Sequence, residues 1–399
     1  APDHLLTAVH THNPDLATRC WFESGVVWGD GRGDTLKLGL QEELLANLYD
    51  RDLHLRTRLR AGYVLGQLGD PRFVTQEREG VCFIAPTLVS VPGGTYTIGS
   101  DEGDPDAEPN ERPQHTVALP EYMIGRWPVT NAEFACFKDA GGYTDERWWE
   151  TDLAKRWLRG EDVGRGRAKG VIDAWRYVQG NPDWRASVEK SGSFSPQQLE
   201  AYAAIEVMAE DELKAHFFAS SIPDKSREQP AYWDDTTRNN PSQPVVGVTW
   251  FEARAYCAWL SAVTGRAFRL PREYEWEAAA RGPEARLYPW EGAWDATRAN
   301  TIDGGVRRPS PVGAYAAAGG AGPYAAEDQA GNVWEWTSSL YNVAYPYESY
   351  EHVSPGAKAG RGGSWGLGRK HARCTARSRH VPDGFLGSLG FRVVSPVLS

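Results

Sequence analysis

Asn332-Val333-Trp334-Glu335-Trp336, Arg361-Gly362-Gly363-Ser364-Trp365 and Gly390-Phe391-Arg392 are three short phrases near the C-terminal end that set the architecture. Aromatic, arginine and glycine positions form a fixed frame there, separated by residues with no periodicity of their own. Working outward, Gln243 to Trp250 reads as a strand, and Thr249 to Thr264 as a helix burying Ala253, Ala255, Tyr256, Trp259 and Leu260, closed by Gly265. A second helix starts in Arg269-Leu270-Pro271-Arg272-Glu273-Tyr274-Glu275-Trp276-Glu277, with the proline at its first turn. Upstream, Val89 to Ser100 and His115 to Leu119 read as short strands around an acidic loop ending at Glu111. Thr130-Asn131 caps a helix through Phe134, Phe137 and Lys138, which Gly141-Gly142 ends.

These phrases, with Pro92-Gly93-Gly94…Ile98-Gly99, Pro128-Val129-Thr130-Asn131 and Pro244-Val245-Val246…Trp250, resemble the formylglycine-generating-enzyme and sulfatase-modifying-factor family. The resemblance implies an α+β, C-type lectin-like fold, loop-rich, with small antiparallel sheets and two packed helices. It would occupy residues 86–399. Residues 1–85 lie outside it as a small helical unit: Leu55, Leu59, Tyr63 and Leu65 keep helical spacing before Gly69-Asp70-Pro71, resembling one HEAT-like repeat, with an ordinary amphipathic helix as the alternative. One repeat cannot bury its own face, so it must pack on the larger domain or on a neighbour. Residues from about 145 to 240, rich in Trp and with a weak helical stretch from Ser195 to Phe218, read as an insertion folded onto the core, or as a mobile lid.

Bulk properties bound the function. A net charge of −10 argues against a nucleic-acid or anionic-membrane partner, because neutralising phosphates needs a basic surface. No run approaches the roughly 18 apolar residues of a membrane span. Cys20, Cys82, Cys136, Cys257 and Cys374 are too scattered for a disulfide framework. With no signal-like start at Ala1, a cytoplasmic or phage-associated location is expected. The 17 Trp, 42 Gly and 26 Pro fit irregular segments pinned by large rings.

The resemblance leaves function open, since the family holds copper-dependent oxidases, sulfoxide synthases and proteins without chemistry. The oxidases carry two cysteines just after the Gly-Gly-Ser phrase, whereas Trp365 to Arg373 holds none, and the lone Cys374 falls later. His4, His10, His12 and His54 lack the spacing of an iron site. These absences lead to the expectation of a non-catalytic ligand-binding protein with no redox cofactor. Its tail, about 362–392, resembles the variable region of proteins diversified by retroelements. The candidate ligand-binding positions are Gly366, Leu367, Gly368, Lys370, His371, Ala376, Ser378, His380, Val381, Gly384, Phe385, Leu386, Gly387, Ser388 and Leu389, with a macromolecular ligand. A larger sensor or a phage-borne receptor-binding assembly would carry the domain. The leading alternative is an oxidase with a relocated metal site, or a sulfoxide synthase. The resemblance also implies structural calcium, held by the Asp328 and Glu335 side chains with the Gly331 and Val333 carbonyls, with simple turn capping as the alternative for those two acids, and a second site near Asn300 and Thr301.

Overall fold

The computed structural model describes residues 16–18, 32–161, 175–181, 183–191, 206–210, 212, 227–341 and 356–397. Helices α1 (Arg32–Tyr49) and α2 (Leu55–Leu68) come first, then strands β1 (Thr75–Arg78), β2 (Val81–Ile84), β3 (Leu88–Val91), β4 (Gly94–Ile98), β5 (His115–Leu119) and β6 (Tyr122–Gly125). Helices α3 (Asn131–Asp139), α4 (Asp152–Leu158), α5 (Trp184–Ser191), α6 (Trp250–Thr264) and α7 (Glu273–Arg281) follow. Strands β7 (Trp334–Leu340), β8 (Lys358–Arg361), β9 (Arg377–His380), β10 (Leu389–Phe391) and β11 (Val394–Pro396) complete the order. The architecture is α+β, with small sheets ordered β10-β7-β8-β9, β11-β6-β3, β4-β5 and β1-β2. Pairing is antiparallel except between β10 and β7.

Two reciprocal caps fix where α3 and α6 begin. Thr130 accepts from the Glu133 amide while Glu133 takes the Thr130 amide at 2.7 Å, and Thr249 with Glu252 repeats the arrangement. Each box satisfies amides that a helix start leaves unpaired, worth about 1 kcal/mol. Gly265 ends α6 at φ +71°, where a side chain would be strained. Helix α6 packs on α3, whereas α7 lies on β4, β7 and β8.

The main core lies between these layers. Trp149, Trp157, Trp250, Trp259, Trp336, Phe134, Phe137, Tyr256 and Phe391 share it. At about 25 cal/mol per Å², an indole burying roughly 200 Å² contributes on the order of 5 kcal/mol, so few rings can hold many loops. Trp149 and Trp157 bring the first part of the expected insertion into this core. The helical stretch expected from Ser195 to Phe218 lies outside the described residues apart from 206–210 and 212.

Helices α1 and α2 close a second apolar cluster over Ala314 and Tyr315. Tyr63 donates to the Pro309 carbonyl at 2.8 Å, and the Asn240 amide donates to the Tyr63 carbonyl at 2.8 Å. Gly66 permits this approach, since a Cβ there would lie 2.1 Å from Asn240 Oδ1. Among the described residues no helix is long and apolar enough to cross a membrane.

Candidate functional site

The four-stranded sheet sorts side chains by parity, since directly opposed residues share a face. Register places Glu335, Arg361 and Arg377 on one face, and Trp336, Gly360 and Ser378 on the other. The first face meets α7 as a layer of buried ion pairs. Arg361 contacts Glu273 at 3.3 Å, bonds Glu277, and donates to the Cys374 and Thr375 carbonyls at 2.8 and 3.0 Å. Arg377 grips Glu273 through Nε at 2.6 Å and Nη2 at 3.0 Å. Beside them, Arg392 holds Glu335 at 2.5 and 2.7 Å.

Arg373 ties the tail to the acidic loop, reaching both Glu111 oxygens at 2.7 Å and Asp104 at 3.0 Å. Burial alone would raise the Glu111 pKa, but the Arg373 guanidinium outweighs it and holds the carboxyl below its ordinary value.

The opposite face is aromatic, and the tail's histidines meet it. His371, in the 3-10 turn Arg369–Ala372, sets its ring against Trp334 with centroids 6.4 Å apart. His380, at the end of β9, contacts Trp334 at 6.2 Å and Trp336 at 5.4 Å. Burial, then the Arg379 charge, pulls His380 down to about 4; burial, then Lys370 and Arg373, lowers His371. Both rings are therefore neutral near pH 7.

The candidate tail positions do not form one outward surface. Leu389 and Ala376 are buried, at 0% and 3% exposure, and Leu389 belongs to the main core. Gly366, Leu367, Gly368, Lys370, His371, Ser378, His380, Val381, Gly384, Phe385, Gly387 and Ser388 are half-buried, and Leu386 is exposed at 41%. Leu367 packs against the main core and Phe385 against Tyr232, with centroids 6.4 Å apart. Spacing along the tail carried no signal of these contacts, because their partners lie far away in sequence.

The residues proposed for calcium fit that ion poorly at Asp328 and Glu335. Both Glu335 oxygens take Arg392 donors, and one also takes the Trp276 indole N–H at 2.7 Å. Asp328 accepts from the Gly313 amide at 2.8 Å. Gly331 donates to the Gly362 carbonyl at 2.7 Å, and Val333 is fully buried. Asn300 and Thr301 fit better, since Asn300 Oδ1 and Thr301 Oγ1 are buried oxygens with no hydrogen-bond partner. Among the described residues no three His, Cys, Asp or Glu side chains converge as a metal set.

Asp328 gives a pH test. Burial raises its pKa to about 7, opposed by the Gly313 amide and reinforced by Glu327 and Glu335. The ordinary value is 3.8, so between about pH 4 and 7 the folded state holds the extra proton and stability falls as pH rises. Asp328→Asn is expected to flatten that fall, and asparagine also tolerates the φ of +57° found there. Urea midpoints from pH 5 to 8, with and without calcium, check this; a variant that loses stability only when calcium is present would restore the cation to this site.

Residues 75–397 match the family described as Sulfatase-modifying factor enzyme 1-like domain. Hercynine oxygenase of Mycolicibacterium smegmatis is 34% identical over 337 residues, covering 80% of this chain and 63% of that protein. Formylglycine-generating enzyme of Streptomyces coelicolor is 31% identical over 326 residues, covering 76% of this chain and 87% of that protein. Inactive C-alpha-formylglycine-generating enzyme 2 of Mus musculus is 30% identical over 327 residues, covering 78% and 86%. The chain thus spans about 63% of the length of the hercynine oxygenase it matches.

These relatives correct the expectation of a non-catalytic binding protein with a diversified tail, because the first two carry the names of an oxygenase and a formylglycine-generating enzyme. Lacking one metal's cysteine ligands excludes one chemistry, not catalysis. The chain belongs to the sulfatase-modifying factor enzyme 1-like family.

Proposed function

We propose that this chain is the lectin-like, substrate-binding part of a metal-dependent oxidising enzyme, of the oxygenase rather than the formylglycine-forming kind. The observation that carries the reading is 34% identity to hercynine oxygenase over 337 residues. The tail chemistry supports the choice between the two kinds. Trp365 to Arg373 has no cysteine, and Cys374 is fully buried with its thiol pushed up to about 12. Since the thiolate is the reactive and metal-binding form, this sulfur is poorly suited to either role.

A substrate like hercynine carries a quaternary ammonium and a carboxylate. The half-buried indole of Trp365 suits the first, and the exposed guanidinium of Arg369 or Arg379 suits the second. The metal would supply the oxygen chemistry, and the residues of the tail would bind and orient the substrate.

Isothermal titration of hercynine into the chain tests this. Hercynine is expected to bind, more weakly in Trp365→Ala, and a cysteine-containing peptide is not. Binding of neither, or of the peptide only, overturns the proposal.

A further inference from the structure

We propose that Arg58, with the Tyr315 hydroxyl, binds the carboxylate group of an external ligand at the joint between the helical unit and the lectin-like domain. Arg58 on α2 is 4% exposed, and its Nε and Nη1 are buried without a hydrogen-bond partner. The other buried guanidiniums among the described residues, those of Arg281, Arg361, Arg373, Arg377 and Arg392, each hold a glutamate. No such acid reaches Arg58 among the described residues. Burial lowers the Arg58 pKa, and Tyr315 and Asp50 only partly oppose that, whereas Glu111 reverses the same effect of burial on Arg373. A buried charge without a counter-charge is costly, and an incoming carboxylate removes that cost.

Tyr315 offers a further donor from the other side of the joint. It is 2% exposed, its hydroxyl lacks a hydrogen-bond partner, and its ring shares the apolar cluster of Leu59 and Leu65 on α2. Burial, then Asp328 and Tyr63, raise its pKa, and the Arg58 charge opposes them, so the two groups share one electrostatic neighbourhood. The chemistry of the ligand follows from charge and shape. One guanidinium neutralises a monoanion, whereas sulfate would leave a net charge among leucines. The planar fork matches a carboxylate through two parallel bonds, the geometry that Arg373 uses on Glu111 and Arg392 on Glu335. Such a ligand ties α2 to the segment that carries Tyr315.

The site lies outside the tail and is tested without substrate, so it and the oxidative reading can fail separately. Carbon-13 acetate is titrated into the full chain at constant ionic strength and followed by NMR line broadening. One saturable site is expected, with sulfate a poor competitor. Arg58→Met should weaken acetate binding by about 10-fold or more, and Tyr315→Phe by about 3-fold, as charged and neutral hydrogen bonds differ. Arg58→Lys, which keeps the charge but not the fork, should also bind more weakly than the parent. Without acetate, Arg58→Met should keep or raise the parent's thermal midpoint, because it removes an unbalanced buried charge. No saturable binding, loss of binding in Arg369→Met rather than in Arg58→Met, or a midpoint lowered by Arg58→Met without acetate overturns the assignment. Circular dichroism of each variant separates a lost ligand from lost folding.

Discussion

Arg392→Met is expected to lower the free energy of unfolding by about 3–5 kcal/mol, the range seen when one partner of a buried ion pair is removed. Arg392 is fully buried, and besides Glu335 it donates to the Gly125 and Glu327 carbonyls at 2.9 Å each. Without it, Glu335 keeps the Trp276 N–H alone. Arg361→Met should cost less, although Arg361 has as many partners. The acids it leaves behind are better served: Glu273 keeps Arg377, while Glu277 keeps Arg281 at 3.0 Å and the Gly99 amide at 2.7 Å. What decides the cost is the charge left bare, not the number of bonds cut. Adding Glu335→Leu to Arg392→Met should recover part of the loss, since an apolar replacement of both partners removes the stranded charge. Urea unfolding of the three variants checks the order, and an Arg361→Met loss larger than that of Arg392→Met would contradict it.

The same layer shows how far the sequence could be read. Thr249 with Glu252 and Gly265 bounded α6 because capping is local, with every participant within a few residues. For α7 the local signal misled: Pro271 suggested a first turn, but the helix begins at Glu273. The Pro271 carbonyl instead accepts the Ser338 amide at 2.9 Å, joining this segment to β7. Arginines of the tail were visible as anchors, but not their partners. Glu111 and Arg373 are separated by 262 residues, and no spacing rule links them. The sheet was equally hidden, because β8, β9 and β10 are three or four residues long and only their pairing assigns a face to each side chain. For that reason His380 read as an outward position, although register turns it over Gly360.

Leu389→Asn should cost about 4 kcal/mol or more, whereas Leu386→Asn, three residues earlier, should stay within roughly 0.5 kcal/mol of the parent. The sequence offered the two leucines as equivalent positions of one variable surface. Leu389 pairs with Trp334 across the parallel β10–β7 ladder and is fully buried among Trp336, Phe391 and their neighbours. Asparagine there loses the leucine's transfer energy and leaves an amide without partners in an apolar layer. Leu386 is 41% exposed, and its ordered contribution is its carbonyl, which accepts the Gly247 amide at 3.0 Å and survives any side-chain change. Thermal and urea unfolding of the pair separates the possibilities. Equal, small effects would mean that the tail is a tolerant display surface. A large difference would mean that ligand contacts come from the exposed and half-buried members, such as Trp365, Arg369 and Arg379, while the buried members hold β7 and its indoles in place beneath the histidines.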